Sequence, residues 1–443
     1  MSIVGNVSGA IQSLLGKIAE SVGKAVNVIK RKRVFTEVSL AQTFVLSVLQ
    51  DPDASDEEIA QVAAQCGAPV TAQAIDKRHT PALVDFLKAL LGKAVALRVE
   101  SDKVLAPILE RFTSVTMLDS STITLPDELK EEFAGCGGSY DSSEAAMKLQ
   151  TELDLRSGGI THIEIEPGKS PDAATVRQNV SRGKGSLRIT DLGYFNVPVF
   201  AVLDEMGEYF LSRLNFGTKA ATEEDGDAND LMIWLNRQSV KTVDRTIWLG
   251  KKQRLKCRMI AFRVPAEVAA ERRRKLRKET MKKRGCEPTE ARLAWCDWTI
   301  MVTNVPEEMM SVKEAIVLYR ARWQVELLFK RWKSQNLIAM LTGSTTVRQM
   351  VRVWSRLIAA LIQHWLLLSS VWGDPTKSLS KTSEAIRAFV GRIIEAINCA
   401  ASLETVLTAM AQTFAKTCRR NKRKKPGTFE LLNDIDLLDF CLS

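Results

Sequence analysis

The sequence predicts an α/β protein whose mixed sheet lies between helical N-terminal and C-terminal regions. Three observations predict it. Apolar residues recur at helical spacing over roughly the first hundred positions, the period changes to two from about residue 113, and strand-like runs then alternate with helix-like ones. At 443 residues the chain has room for about three domains. The expected division is a helical region over 1–105, an α/β domain over 106–375 with a strand-rich insertion at about 215–300, and a helical region over 376–443.

Taken in order, Val7, Ile11, Leu14, Ile18, Val22 and Val26 follow at steps of three and four, which makes one apolar helical stripe closed by the basic run Lys30-Arg31-Lys32-Arg33. Ser55-Asp56-Glu57-Glu58 has the form of a capping box, so a helix starts there and stops near Gly67. A short helix over about Val70 to Asp76 and a third from Pro81 to about Val95 would complete a helix-turn-helix whose second helix enters the major groove, which makes 1–105 the expected DNA-binding domain. A small helical bundle without DNA contacts explains the same pattern. Strands are expected at Ser114 to Asp119, Thr122 to Leu125, Met147 to Leu155 and Ile160 to Glu166. The loop Ser181-Arg182-Gly183-Lys184-Gly185-Ser186 leads into a strand at Leu187 to Asp191, a helix begins near Val197, and Tyr209 to Leu214 is again strand-like. The insertion ends in a helix with nine basic residues against two acids between Glu271 and Arg284. The chain is helical from Val312 and carries a basic run, Arg419 to Pro426.

Composition bounds the function. With 45% apolar residues the chain is ordinary for a globular protein, and 62 basic against 52 acidic side chains, a formal +10, favour a polyanionic partner. Cys66, Cys136, Cys257, Cys286, Cys296, Cys399, Cys418 and Cys441 form no Cys-x-x-Cys pair, and His79, His162 and His364 cannot complete a zinc finger. Scattered cysteines of this kind point to a reducing compartment, the cytoplasm. Lys17, Glu20 and Lys24 interrupt the first stretch, so no secretory signal is expected. Val351 to Trp372 is apolar but holds Arg352, Arg356, Gln363 and His364, which makes it a core helix and not a membrane span.

The segment Tyr319 to Lys333 carries the chemistry. At 100° per residue, Tyr319, Arg322, Glu326, Lys330 and Lys333 share a face about 80° wide, while Val325, Leu328 and Phe329 point elsewhere. One carboxylate ringed by cations and a phenol suits a phosphodiester: the acid can hold a divalent metal and the others phosphate oxygens. A two-metal site needs more carboxylates. Asp119 and Asp191 each follow an apolar strand-like run, and Asp154, Glu164 and Glu166 compete with them.

The spacing Tyr319, Arg322, Glu326, Lys333 resembles the Tyr-Arg-Glu-Lys signature of the bacterial IS-four insertion-sequence transposases, which are DDE proteins. Leu118-Asp119-Ser120-Ser121, Thr190-Asp191-Leu192-Gly193-Tyr194-Phe195 and the stretch from Trp298 to Pro306 are similar to the strands around that family's acids. The resemblance covers about residues 110 to 370. It implies a ribonuclease-H-like core, an added β-subdomain in the insertion, and Asp119, Asp191 and Glu326 as ligands of two Mg²⁺ (or Mn²⁺) ions. It further implies transposon-end DNA and target DNA as partners, a homodimer around two ends, a place at the bacterial nucleoid, and cleavage through a DNA hairpin. Arg322 and Lys333 would grip phosphates, with Tyr319 beside them and Lys330 assisting. Trp298, with Trp323 near it, would stack on a flipped base. The rival readings are a DNA-binding relic that no longer cuts and a ribonuclease-H-like nuclease without strand transfer.

Overall fold

The computed structural model describes residues 2–31, 33–101, 106–136, 144–227, 231–335, 337, 345–422 and 425–438. Lys32, Cys441 and, in the basic tail, Arg423 and Lys424 lie outside them. The fold is mixed α/β with nine strands among these residues, and it divides into two compact units, each assembled from several stretches of chain.

The first unit comprises Met1–Leu105, Asp119–Ser170 and Trp323–Glu430. Its N-terminal stripe is not one straight helix. Ile3–Ser13 and Ala19–Ala25 flank a π-helical turn, Leu14–Ile18, in which Gly16 leaves helical dihedrals (φ −123, ψ −105). Glycine is the residue that enters such a conformation at least cost. Val7, Ile11, Leu14 and Val22 are buried all the same. Ser55 caps Asp56–Gln65 through the expected capping box with Glu58, and Gly67 leaves that helix at φ +77. The next helix, Ala72–Asp76, is a single turn, too short to lie along a major groove as a reading helix. The supporting helix runs Pro81–Ala96, as expected.

These N-terminal helices share one core with a helix some 300 residues later in sequence, Thr346–Leu368, which packs on Glu37–Gln50 and Pro81–Ala96. That helix is long and apolar enough to cross a membrane, and 94% of its apolar window is buried inside the protein. Three of its buried polar side chains bond within the unit. Arg356 donates to Pro52 O (2.9 Å) and pairs with Asp53 (2.7 Å), and Gln363 donates to Gln335 Oε1 (2.6 Å). His364 Nε2 donates to Gly158 O at 2.7 Å.

The strands β2 (Ala146–Asp154) and β3 (Ile160–Pro167) form an antiparallel hairpin in this unit, in the order β3-β2-β1 with the outer half of β1. Strand β1 runs unbroken over Val115–Thr124, ten residues, in place of the two short strands expected. Ser120 and Ser121 stay extended, because neither glycine nor proline stands there to turn the chain.

The second unit comprises Ala106–Leu118, Pro171–Arg322 and Leu431–Ser443. Its strand order is β1-β4-β5-β9-β8-β7-β6. The first half of β1 pairs in parallel with β4 (Leu187–Thr190), and β4 with β5 (Tyr209–Arg213). Strand β9 (Trp298–Thr303) runs antiparallel to β5, followed by β8 (Leu255–Arg263), β7 (Thr242–Leu249) and the two-residue β6 (Ala220–Ala221). The insertion is thus strand-rich, but it extends the same sheet and does not form a separate subdomain. Its side chains join one apolar core with Phe200, Phe210, Leu235, Ile247, Met259 and Val302, in which Phe200 and Phe210 stack at 4.4 Å. The Ser181-to-Ser186 loop wraps the carboxylate of Glu208, which accepts from Ser181 Oγ, Arg182 N (3.0 Å) and Ser186 Oγ (3.3 Å). Glu208 also lies 3.6 Å from Arg188 of β4, both side chains being almost wholly buried. The loop therefore fixes the entry of the strand that ends at Asp191.

Candidate active site

In the second unit, β4 closes at Thr190 and Asp191 follows in extended conformation (φ −81, ψ 171) before the turn Leu192–Tyr194. Tyr194 N bonds back to the Asp191 carbonyl at 3.0 Å, so the backbone here is held while the half-buried carboxylate is left to its surroundings. Leu118 of β1 is the register partner of Thr190, so the residue that follows each member of this pair is an aspartate, Asp119 or Asp191.

Tyr319 is carried by the helix Val312–Ala321, which starts from a capping box between Ser311 and Glu314. Burial and then the Asp191 carboxylate push the Tyr319 phenol up to about 12, against the opposing guanidinium groups of Arg322 and Arg213. A carboxylate near a phenol disfavours the phenolate, so Tyr319 stays protonated at neutral pH and is a hydrogen-bond donor, not a base. Asp191, Arg322 and Arg213 thus all lie within electrostatic reach of Tyr319. Sequence reasoning missed Arg213. Its only signal is a cation ending the otherwise uncharged run Tyr209-Phe210-Leu211-Ser212.

In the first unit, Asp119 is half-buried within β1, and its Oδ1 accepts from the Ser120 backbone N–H at 2.9 Å. Glu326 is half-buried on the helix Trp323–Ser334, whose Val325, Leu328 and Phe329 are buried as the helical spacing requires. Lys330 and Lys333 are exposed. The Lys330 ammonium sits 4.0 Å from the centre of the Trp323 ring, which is 44% exposed. The signature therefore lies on two helical segments rather than one. Tyr319 precedes the junction, Arg322 forms it with near-helical dihedrals (φ −50, ψ −31), and Glu326, Lys330 and Lys333 follow.

Trp298 requires a correction. It is 1% exposed on β9, enclosed in the core, with the Arg263 guanidinium 4.6 Å from its ring centre. An indole with no open face is not a stacking platform for a base. The competing acids are also accounted for. Asp154 caps the β2–β3 turn through Arg156 N and Ser157 Oγ (both 3.0 Å), Glu164 meets His162 at 3.3 Å, and Glu166 accepts from Gln150 at 3.3 Å.

Among the described residues, one group of metal-type donors lies within 4.8 Å, namely Asp56, Asp76 and His79. Arg348 pairs there with Asp56 at 2.8 Å and with Asp76. Burial, then the Arg348 charge, pushes the His79 imidazole below its ordinary range. The arginine already supplies the cation that these acids need.

Residues 110–362 match the family described as the transposase DDE domain. The chain belongs to the DDE transposase family. Among insertion-sequence transposases, that of element IS231B from Bacillus thuringiensis subsp. berliner is 28% identical over 77% of this chain and 75% of its own length. The transposase of IS231F from the subspecies israelensis is 24% identical over 94% of this chain and 92% of its own. That of IS1151 from Clostridium perfringens is 27% identical over 67% and 66%. A DDE transposase is a DNA-cleaving and DNA-transferring enzyme, and the domain generally works with divalent metal ions.

Proposed function

We propose that this transposase cuts the ends of its own insertion sequence and joins them to target DNA, with Asp119, Asp191 and Glu326 as catalytic acids on a ribonuclease-H-like core. The observation that carries the reading is the neighbourhood of Asp191, Tyr319 and Arg322. An acid at a strand end and the first half of a helical signature, about 130 residues apart in sequence, meet in one electrostatic environment, which a bland surface aspartate would not need. Each of the first two acids stands in or directly after a strand, Asp119 in β1 and Asp191 after β4, as the reading requires. The order β3-β2-β1 in one unit and β1-β4-β5 in the other supports the core.

Three carboxylates form a hard oxygen donor set, which suits Mg²⁺ or Mn²⁺. Asp119, Asp191 and Glu326 would hold two such ions, which would supply Lewis-acid chemistry at the scissile phosphate and the attacking hydroxyl. The chain's own residues do the rest. Arg322 and Lys333 hold phosphate oxygens at the transposon end, Tyr319 donates a hydrogen bond there, and Lys330 assists from the face of Trp323. The freed 3′-hydroxyl attacks the opposite strand, expels its 3′-oxygen and leaves a hairpin, whose bent strand places a base on Trp323. A homodimer around two ends, working in the bacterial cytoplasm at the nucleoid, completes the reading.

The test incubates purified protein with a labelled duplex carrying the element's terminal repeat, with Mg²⁺ or with EDTA, beside Asp119→Ala and Glu326→Gln. Nicks and hairpins that need both metal and Asp119, with Glu326→Gln binding but not cutting, are expected. Lys333→Ala should slow hairpin formation more than first nicking. Binding by wild type without any cut would identify a relic, cutting without joining in a plasmid assay a nuclease, and cutting indifferent to Asp119 a misplaced site.

A further inference from the structure

The basic helix of the insertion, Ala266–Arg284, is not absorbed by this mechanism. It runs nineteen residues and stops at Gly285 in the left-handed region (φ +66). Its cations sort by direction. Arg272 donates to Trp298 O and Thr299 Oγ1 (both 3.1 Å), and Arg273 pairs with Asp297 at 2.6 Å, so these two fasten the helix to the sheet beside the buried Ala269 and Thr280. On the opposite face Arg274, Lys278 and Lys282 follow at four-residue steps, all exposed, within an arc of about 80° and about 6 Å apart along the axis.

Three ordinary explanations fall short. A solvated face usually mixes its signs. Here one acid, Glu271, falls within the arc and pairs with Arg274 and Lys275, while Lys278 and Lys282 have no ion-pair partner among the described residues. Like charges at i,i+4 destabilise a helix, so the stripe has a cost in the free protein. The helix dipole accounts for cations in the last turn, Lys282 to Arg284, but not for Arg274 and Lys278 further back. A membrane-surface helix needs an apolar face next to its basic one, whereas the exposed large apolar side chains of this helix, Val268 and Met281, fall on opposite flanks of the stripe.

We infer that this face is a second DNA-contact surface, one that grips the sugar–phosphate backbone of duplex DNA without reading its sequence. The inference rests on the reading of the chain as a DNA-acting enzyme, and charge complementarity names the partner. The stripe is a row of exposed cations one helical turn apart, without the amide or aromatic side chains that usually accompany them in base reading.

The experiment compares the full-length chain with the triple variant Arg274→Gln, Lys278→Gln, Lys282→Gln. Glutamine keeps helix propensity close to that of the residues replaced. Fluorescence anisotropy on a terminal-repeat duplex and on a scrambled duplex of equal length, at a series of NaCl concentrations, gives the slope of log K against log salt. Losing three phosphate contacts should reduce that slope by about 2.7 on both duplexes alike, with hairpin formation at saturating protein unchanged. An unchanged slope overturns the inference, and so does a loss confined to the terminal repeat, which would mean sequence reading. A variant that keeps the DNA slope but no longer binds phosphatidylserine vesicles would make the surface a membrane contact instead. Failure of the underlying reading looks different, because the wild-type protein would then bind neither duplex.

Discussion

Protonation of one buried imidazole should set the acid side of this protein's stability. His364 Nε2 donates to the Gly158 carbonyl at 2.7 Å, which fixes the tautomer and leaves Nδ1 as the site of any added proton. Nδ1 is buried with no hydrogen-bond partner among the described residues, the edge of Trp372 packs on the ring at 5.9 Å, and the buried Arg331 adds a nearby positive charge. Burial, reinforced by Arg331 and opposed by the Gly158 bond, pushes the imidazole down from 6.5 to about 4. Because the folded value is the lower one, the unfolded chain takes the proton first. The contribution is therefore fully present above pH 6.5 and is lost as pH falls from there to about 4. A shift of this size corresponds to about 3 kcal/mol in all, of which about 2 kcal/mol disappears between pH 8 and pH 5. Urea unfolding followed by tryptophan fluorescence at these two pH values, in wild type and in His364→Gln, checks it. The wild-type midpoint should fall further, by the equivalent of that difference. His79 is shifted in the same direction but is common to both proteins and cancels. Parallel pH dependences would refute the reasoning.

Other outcomes follow from the same geometry. Glu208→Ala leaves the buried Arg188 without that acid and takes an acceptor from the Ser181 loop, and should cost about 3–5 kcal/mol in denaturant unfolding. A loss below about 1 kcal/mol would mean that the loop does not depend on the carboxylate. In native protein at pH 8, iodoacetamide should label the exposed Cys136, Cys286 and Cys399. It should spare Cys66, whose thiol is pushed up to about 11 by burial, and Cys257, raised further by complete burial, and peptide mass spectrometry reads the result. Tyr319→Phe should slow cleavage by about tenfold through the loss of a hydrogen bond in the transition state. The rate profile up to pH 10 should keep its shape, since the phenol stays protonated there, and a limb near pH 10 present only in wild type would show that Tyr319 titrates.

What could be read from sequence was local. The Ser55 capping box, the stop at Gly67 and the buried face of the Glu326 helix depend on neighbours within one or two turns, and they stand where spacing puts them. The second strand before an acid was legible because Leu187-Arg188-Ile189-Thr190 is followed at once by an acid and a glycine-containing turn. Features set by distant partners were not. Arg213 reaches the Tyr319 neighbourhood only through the fold, and the N-terminal helices gain their core from Thr346–Leu368. Trp298 beside a signature helix invites a functional role, whereas its burial depends on strands β7 and β8 of the insertion. The kink at Gly16 shows the converse, since an apolar period can persist through a turn that breaks the helix carrying it.

The parallel register between β1 and β4 also bears on how such elements can drift. Side chains alternate across a sheet, so a single-codon insertion or deletion between Leu187 and Asp191 would turn the carboxylate to the opposite face and present Thr190 or Leu192 in its place. Strands β6 to β8 lie at the far edge of that sheet, where lengthening the turn between β7 and β8 changes no register toward Asp191. In-frame scanning insertions should therefore be silent or fatal by position. Among mobile copies accumulating errors, the spacing inside β4 would be held nearly constant, while the β7–β8 turn is free to vary in length.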